Sequence, residues 1–173
     1  IAQKIVSKAE NRLVDLRTVH PGLRAKRIAV RIKKDPRLVE LILSESKRVL
    51  RLRFGLIIVE HKNGFICANA GIDHSNSIGG SGAESFVLLL PKDSDLSAQR
   101  IRENFEKRIN KKIGVLIIDS HGRAWRNGTV GISIGISGVP GQVDLRGKPD
   151  LFGYRLKSTL IAAADELAGG ASL

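Results

Sequence analysis

Two short segments combine an aspartate with small hydroxyl or amide side chains at points where apolar runs end. The first, Ala68–Asn76, contains Asp73, and the second, Ile117–Arg126, contains Asp119 with Ser120 directly after it. Strand ends that lead into glycine-containing turns hold polar side chains toward a ligand. Because hard cations bind several oxygen ligands at once, the two segments together predict a site for a divalent metal ion.

Either aspartate alone is weak evidence, since many aspartates after strands only cap turns. His74 and His121 lie beside the proposed ligands, but imidazole suits zinc better than magnesium or manganese. Sequence neighbours on an extended backbone also point to opposite sides. We therefore interpret both histidines either as bystanders or as residues that contact the metal ligands without binding the metal. The glycine-rich stretch Gly79–Gly82 lacks the lysine and the strand-to-helix setting of a P-loop, which favours a surface loop.

The charge of the chain indicates a polyanionic partner. The formal net charge is +12, and residues 1–53 hold 15 Lys and Arg against 5 Asp and Glu. Such asymmetry is typical of proteins that bind nucleic acid or phosphate-bearing ligands. With one Trp, one Tyr and five Phe, the aromatic residues that stack on single-stranded RNA are scarce. Charge alone leaves both partners open, although a metal held by acids in a basic protein favours phosphate chemistry, with Lys4, Lys8, Arg123 and Arg126 as candidate phosphate contacts.

The remaining composition excludes several classes of protein. Hydrophobic residues make up 42% of the 173 residues, enough for a packed core. No apolar run approaches the length of a membrane span or has the flanks of a signal peptide, so we expect no membrane partner and a cytoplasmic location. The single cysteine, Cys67, lies in an apolar run and is predicted to be a small buried hydrophobe rather than a catalytic thiol.

The order of predicted elements indicates an α+β (mixed α/β) domain with mixed sheets and flanking helices. Helices are predicted at Leu23–Ile32, after the Asp35–Pro36 cap, at Leu96–Asn110 with Ile101, Phe105 and Ile109 on one face, and at Leu151–Leu167. Strands are predicted at Ile1–Val6, Val49–Phe54, Leu56–Glu60, Gly64–Ala68, Phe86–Leu90, Ile113–Ile118 and Val130–Val139. In the last strand, glycine and serine alternate with isoleucine, so that another backbone can approach closely.

Seven motifs in the same order along nearly the whole chain resemble the coenzyme F420-0:L-glutamate ligase family, which makes the γ-glutamyl tail of a deazaflavin cofactor. They are Gln3–Glu10, Lys34–Glu40, Asn69–Asp73, Leu88–Pro91, Asp119–Arg126, Arg146–Asp150 and Ala164–Ala168. The resemblance implies an α/β ligase fold, a homodimer, and dependence on GTP and on Mg²⁺ or Mn²⁺. It also implies the deazaflavin precursor and L-glutamate as substrates. We therefore expect these molecules, rather than nucleic acid, as partners.

The resemblance also assigns roles to individual residues. It implies metal ligation by Asp73, Asp119 and the hydroxyl of Ser120, where many family members have threonine. Gln3, Lys4, Lys8 and Asn76 match positions associated with the nucleotide. Asp73 and Asp119 are thereby the expected catalytic residues, while Arg123, Arg126 and Arg146 are hypothesised anion contacts.

The implied reaction is amide-bond formation through an acyl phosphate. The family has an opening strand before the position of Ile1 and a nucleotide-contacting segment after that of Leu173. We therefore expect residues 1–173 to form a γ-glutamyl ligase domain without those ends. Three other interpretations stay open: the ligase portion of a longer two-domain F420 biosynthesis protein, a degenerate ligase domain kept for binding or dimerisation, and a basic nucleic-acid-binding module without catalysis.

Overall fold

The structure, a computed structural model, describes residues 1–74, 85–122 and 125–172. The chain divides into two compact units. The N-terminal unit is Gln3–Lys92, and the C-terminal unit combines Ile1–Ala2 with Asp93–Leu173. Both units carry helices and small sheets, so the predicted α+β class is confirmed.

The N-terminal unit contains three helices and five strands within its described residues. Its elements are α1 (Gln3–Ala9), β1 (Leu13–Asp15), a 3₁₀ turn (Leu16–Thr18), α2 (Leu23–Ile32), α3 (Pro36–Ser44), β2 (Ser46–Arg53), β3 (Leu56–His61), β4 (Ile66–Ala68), a left-handed turn (Asn69–Gly71) and β5 (Phe86–Leu88). Strands β2, β3 and β4 form an antiparallel sheet in that order, and β1 pairs with β5.

Local sequence signals explain how α3 begins and how β3 and β4 meet. The Asp35 carboxylate accepts the N–H of Arg37 at 2.8 Å, and Pro36 occupies the first helical position, where its missing N–H costs nothing. The predicted hairpin is confirmed, because Val59 of β3 lies opposite Cys67 of β4, with Gly64 at φ 94° in the connection.

Apolar faces of α2, α3 and β3 form the core of the N-terminal unit. Charged residues of α2 project to solvent, while its alanines and Ile32 face inward. The buried cluster is Leu16, Ala25, Ala29, Ile32, Leu38, Val39, Ile42, Ile57, Val59, Cys67, Ala70 and Val87. Cys67 is a buried free thiol, as predicted.

A buried histidine lies at the end of β3. His61 is 1% exposed, stacks on Phe65 with ring centroids 5.2 Å apart, and accepts the N–H of Asn63 at Nδ1. Its Nε2 has no hydrogen-bond partner within the described residues. Burial lowers the pKa of His61, and the nearby Glu45 only partly opposes this effect.

Acidification is therefore expected to destabilise the protein through His61. The unfolded chain binds a proton at about pH 6.5, whereas the folded chain binds it only at lower pH. The stability that neutral His61 contributes is complete above the unfolded pKa and is lost as the pH falls toward the folded pKa. Urea denaturation between pH 8 and pH 5 checks this. The His61→Phe variant should show a flatter pH dependence, and an unchanged slope would contradict the assignment.

The C-terminal unit is built on one long antiparallel hairpin. Its elements are α4 (Ser94–Ile109), β6 (Val115–Gly122), β7 (Thr129–Ser137), β8 (Val143–Asp144), β9 (Leu160–Ile161) and α5 (Ala163–Ala171). Strands β6 and β7 pair with each other, as do β8 and β9, while α4 and α5 both pack on β7.

Two glycines of β7 allow these helices to approach closely. A Cβ atom on Gly135 would lie 2.4 Å from the carbonyl oxygen of Ser94, and one on Gly131 would lie 2.7 Å from that of Ala168. The predicted small-residue strand is therefore confirmed. The carboxylates of Asp95 and Asp165 accept the N–H groups of Ile136 and Ser133, so these β7 donors are paired by side chains instead of by another strand.

Several predicted elements were wrong. The segment Ile1–Val6 is not a strand: only Ala2 forms a bridge, to Ile118, and α1 begins at Gln3. The buried face of α1 includes the polar Gln3 and Ser7, so hydrophobicity alone could not reveal its helical period. The predicted helix Leu151–Leu167 is also wrong, because α5 begins only at Ala163.

On α4, the predicted apolar face is not the buried one. The helix buries Ser94, Ser97 and Ala98, whereas Phe105 and Ile109 are exposed. Small side chains are buried because β7 lies too close to the helix for larger ones, as the short approach at Gly135 shows. Among the described residues, no helix has both the length and the apolar character needed to cross a bilayer.

Candidate functional site

Asp73 is held by its backbone at the edge of a strand. Its N–H donates to the carbonyl of Leu88 at 3.0 Å, and its own carbonyl accepts the N–H of Leu88 at 2.8 Å. This isolated antiparallel bridge attaches Asp73 to β5, which pairs through the same residue with Leu13 of β1. Asp73 thus lies in a bridge after the turn at Asn69–Gly71 rather than directly at the end of a strand, which corrects the predicted setting.

The turn before Asp73 consists of three consecutive left-handed residues. Asn69, Ala70 and Gly71 have φ values of 50°, 55° and 63°. Each non-glycine residue in this region costs roughly 1–2 kcal/mol. The Asn69 side chain offsets part of this cost, because its Oδ1 accepts the N–H of Ile57 at 3.2 Å. Backbone strain of this kind persists where the surrounding structure requires it, often at functional sites.

The Asp73 carboxylate is ion-paired with Lys4 on α1. The Lys4 Nζ lies 2.7 Å from Asp73 Oδ2, and the side chains are 32% and 23% exposed. The structure therefore brings together two predicted site residues that are far apart in the chain. Lys8, one helical turn after Lys4, is exposed, so both ammonium groups lie along one face of α1.

Gln3 presents a buried donor one residue before Lys4. The residue is only 2% exposed, and its Oε1 accepts the hydroxyl of Ser7 at 3.0 Å. The Nε2 amide has no hydrogen-bond partner among the described residues. A buried donor without a partner costs about 1–3 kcal/mol, and a ligand oxygen would satisfy it.

Asp119 lies inside β6 and not at its end. Pairing continues past the apolar run through Asp119–Ile132 and Ser120–Gly131, as far as Gly122–Thr129. The predicted strand end at Ile118 is therefore wrong, because β7 supplies pairing partners for the polar residues as well. Asp119 is partly buried and Ser120 is exposed.

The regular pairing at this point separates the side chains of Asp119 and Ser120. Neighbouring side chains leave an extended strand on opposite faces, whereas residues two apart share a face. His121 therefore shares the face of Asp119, and Ser120 shares that of Gly131. One ion is not expected to bind both side chains while the strand stays extended, whereas two or more ions could use both faces.

Two of the predicted anion contacts belong to the described part of the C-terminal unit. Arg126 is exposed in the connection from β6 to β7. Arg146 is engaged with Asp144, since its Nε lies 3.0 Å from Oδ1 and a terminal nitrogen lies 2.6 Å from Oδ2. This contact lowers the pKa of Asp144 to about 2. Asn76, Arg123 and the Gly79–Gly82 loop lie outside the described residues.

The pairing of Asp73 with Asp119 stays a prediction, because the two aspartates belong to different units. Within the described residues, no three His, Cys, Asp or Glu side chains gather as a ligand set. Mg²⁺ commonly binds through one or two carboxylates and completes its shell with water and substrate phosphates. Each aspartate can supply such a carboxylate, so the donor chemistry fits that ion.

Sequence reasoning missed three features of these sites. It did not find the ion pair of Lys4 with Asp73, the left-handed turn at Asn69–Gly71, or the face shared by Asp119 and His121. The first needed the fold, because α1 was predicted as a strand. The shared face of Asp119 and His121 follows from the two-residue repeat of an extended strand, once β6 is known to continue beyond Ile118.

Comparison with known proteins gives a consistent result. Residues 1–173 match the family described as F420-0:Gamma-glutamyl ligase. The coenzyme F420:L-glutamate ligases of Methanocaldococcus jannaschii and Methanopyrus kandleri are 43% and 44% identical to this chain over 173 residues, which is 100% of the chain and 67% of each relative. The Archaeoglobus fulgidus protein of the same name is 43% identical over the same span. The chain thus spans about two thirds of the length of these relatives, and it belongs to the F420-0:gamma-glutamyl ligase family of coenzyme F420 biosynthesis.

Proposed function

We propose that this chain joins L-glutamate through an amide bond to the deazaflavin coenzyme F420 precursor, in a reaction that uses GTP and Mg²⁺ or Mn²⁺. The observation that carries the proposal is the match to ligases along all 173 residues. The Lys4–Asp73 pair and the unpaired Gln3 amide support it, because they lie where the resemblance expects nucleotide and metal contacts.

On the nucleotide side, α1 offers three donors to phosphate or base oxygens. Gln3 contributes a buried amide N–H, which can donate only to an oxygen that lies in the direction of that N–H bond. Lys4 and Lys8 contribute positive charge with adaptable geometry. Lys4 becomes available to a phosphate oxygen when a metal ion takes its place at the Asp73 carboxylate.

On the metal side, Asp73 and Asp119 would hold the ion, together with Ser120 if the ions form a cluster. A divalent ion here would neutralise charge on phosphate oxygens and orient the substrate carboxylate. The residues of the chain then contribute mainly alignment and fixed charge, which are the main requirements of phosphoryl transfer.

The proposed chemistry has two steps. An oxygen of the precursor carboxylate attacks the γ-phosphorus of GTP, and GDP leaves to give an acyl phosphate. The amine of L-glutamate then attacks the acyl carbon, loses a proton and expels phosphate, so an amide bond replaces the acyl–oxygen bond. Arg126 and Arg146 are the proposed anion contacts within the described part of the C-terminal unit.

The deciding experiment incubates the chain with deazaflavin precursor, L-glutamate, GTP and Mn²⁺ and measures the product mass. A gain of one glutamyl residue, dependent on each component and matched by release of GDP and phosphate, is expected. Replacing GTP by a non-hydrolysable analogue should stop product formation. Absence of product with GTP left intact would contradict the proposal.

A nucleic-acid-binding module is the competing function, and one observation favours it. Arg24, Lys26, Arg27, Arg31 and Lys33 all belong to α2 or its C-terminal cap, and most of their side chains are exposed. Filter binding over a range of salt concentrations distinguishes the two functions, since binding to phosphates weakens steeply with salt. Tight binding to nucleic acid without any effect of GTP would favour the module.

Two further features of the proposal concern assembly and context. We propose a homodimer, as the resemblance implies. The ligase domain acts either alone or as the ligase portion of a longer two-domain protein, and the same glutamylation assay on each form would show which is active.

A further inference from the structure

The side of α2 that faces solvent has aliphatic residues at its centre. Leu23 is 75% exposed and Val30 is 81% exposed. On the opposite side, the helix buries Ala25, Ala29 and Ile32. Because a spacing of seven residues is nearly two helical turns, Leu23 and Val30 lie almost in line along the helix surface. Helix α2 therefore presents an apolar strip to solvent in addition to the apolar face that joins the core.

Positively charged side chains surround this strip. Residues 23–34 contain six Lys and Arg and no Asp or Glu. From the helical period, Arg27 and Arg31 lie on one side of the strip and Lys26 lies on the other. All three side chains are exposed, as are those of Arg24 and Lys33. The surface of α2 thus combines an apolar centre with a positively charged border.

The turn between β2 and β3 adds an aromatic side chain beside the helix. Phe54 is 77% exposed, and Lys33 Nζ lies 5.8 Å from the centre of its ring. Gly55 N–H donates to the Ile32 carbonyl at 2.7 Å, and Lys34 Nζ donates to the Gly55 carbonyl at 2.8 Å. These bonds attach the turn to the C-terminal end of α2. The three exposed apolar side chains and the exposed cations of α2 and its cap are called the basic–apolar patch from here on.

A groove beside Val30 has the same mixed chemistry. It has a volume of about 460 Å³, and its apolar walls are formed by Ala29, Val30 and Pro36. Three lysines, Lys26, Lys33 and Lys34, complete the lining. Apolar walls bordered by ammonium groups suit a ligand that has an anionic head and an apolar body.

The position of the aliphatic residues distinguishes between two polyanionic partners. Nucleic acid would bring phosphates against the cations, but it offers no apolar surface to Leu23 and Val30 at the centre of the patch. An anionic bilayer offers both: lipid phosphates attract the cations, while apolar side chains enter the boundary between headgroups and acyl chains. Charge complementarity together with the apolar centre therefore favours a lipid surface.

We propose that this chain binds to the surface of an anionic membrane through the basic–apolar patch. Leu23, Val30 and Phe54 enter the headgroup region, and the arginines of α2 bind lipid phosphates with their planar guanidinium groups. The sequence argument against a membrane partner concerned membrane spans and signal peptides, whereas a surface contact requires neither. The proposal does not depend on the ligase function.

The test is sedimentation of the chain with vesicles made of equal parts phosphatidylglycerol and phosphatidylcholine. The wild-type chain is expected to sediment with these vesicles but not with vesicles of phosphatidylcholine alone. Leu23→Gln with Val30→Gln should lower the binding constant at least about 10-fold, because two apolar side chains no longer leave water. Both positions are exposed, so circular dichroism should show the wild-type fold. Phe105→Gln is the matched control, because Phe105 is 52% exposed on α4 in the other unit; it should bind like wild type.

A second pair of variants tests the charges. Arg27→Gln with Arg31→Gln should weaken vesicle binding and make it less sensitive to added salt, because fewer cations contact the lipid phosphates. Arg100→Gln with Arg108→Gln removes the same charge from exposed positions of α4. Vesicle binding by this second variant should stay close to that of wild type.

Three results would overturn the proposal: no binding of the wild-type chain to the anionic vesicles, undiminished binding by Leu23→Gln with Val30→Gln, or equal losses in the α4 controls. Binding to duplex DNA that this double variant retains, without binding to vesicles, would assign the cations to nucleic acid instead. Glutamylation is measured without vesicles, so failure of membrane binding and failure of the proposed ligase function remain distinguishable.

Discussion

The Asp119→Asn variant is expected to lose glutamate addition by about 10²–10³-fold or more in kcat/KM, the loss found when a group that stabilises transition-state charge is removed. The amide keeps the size of the side chain but lacks the negative charge that a divalent ion requires. Because the β6–β7 ladder is formed by backbone groups, the variant should fold normally. Product mass and GDP release measure the loss.

A second measurement separates loss of the metal from other causes. Titration with Mn²⁺, followed by the electron paramagnetic resonance signal of the free ion, should show weaker binding to Asp119→Asn. The matched control is Glu103→Gln on α4, which also changes a carboxylate to an amide in the C-terminal unit and should leave binding and turnover unchanged. Retained turnover by Asp119→Asn would show that this carboxylate is not a metal ligand.

The sequence was most informative where a single residue type has one strong local preference. Asp35 and Pro36 predicted the start of α3, and the Asn63–Gly64 pair predicted the hairpin of β3 and β4; both are confirmed. A side-chain cap and a tight turn depend on atoms within a few residues. Such elements can be predicted without knowledge of the fold.

Prediction failed where tertiary contacts decide which face is buried. The apolar residues of Ile1–Val6 suggested a strand, yet the helix buries Gln3 and Ser7. The apolar Leu151 and Phe152 suggested the start of a helix, but they lie in the connection from β8 to β9 and face solvent. In both segments large apolar side chains are exposed, Ile1 and Ile5 in the first and Leu151 and Phe152 in the second, so a pattern of apolar residues is misleading there.

The candidate site was predicted by residue type but not by geometry. Asp73, Lys4 and Gln3 were all named from the sequence, and the structure places Lys4 against Asp73. Neither this pair nor the faces of Asp119 and Ser120 could be predicted, because both depend on where α1 packs and how far β6 extends. The convergence of Asp73 and Asp119 on one cation cluster stays a prediction.

The Gly71→Ala variant is expected to destabilise the N-terminal unit by about 2–4 kcal/mol. About 1–2 kcal/mol comes from placing a Cβ at a left-handed residue, since Gly71 has a φ of 63°. The remainder comes from overpacking, because that Cβ would lie 2.6 Å from Cδ1 of Leu90. Urea denaturation measures the loss, and the displaced turn should also weaken Mn²⁺ binding at Asp73.

A control for Gly71→Ala exists in the same unit. Gly55 has a φ of 66°, yet nothing lies within 4 Å of a Cβ added there. Gly55→Ala should therefore cost only the backbone contribution of about 1–2 kcal/mol and leave Mn²⁺ binding intact. Equal losses for the two variants would mean that Leu90 does not constrain the turn.

A double-mutant cycle with Leu90→Ala isolates that constraint. Leu90 is buried, so its truncation alone should cost about 2–5 kcal/mol through the cavity it leaves. In the double variant, the Cβ added by Gly71→Ala would enter the space that the leucine vacated, so the combined loss should be smaller than the sum of the single losses. Because the turn leads directly to Asp73, recovery of Mn²⁺ affinity in the double variant relative to Gly71→Ala would show that packing against Leu90 positions the carboxylate. Additive losses without such recovery would mean that the left-handed turn affects the stability of the unit but not the position of the Asp73 carboxylate.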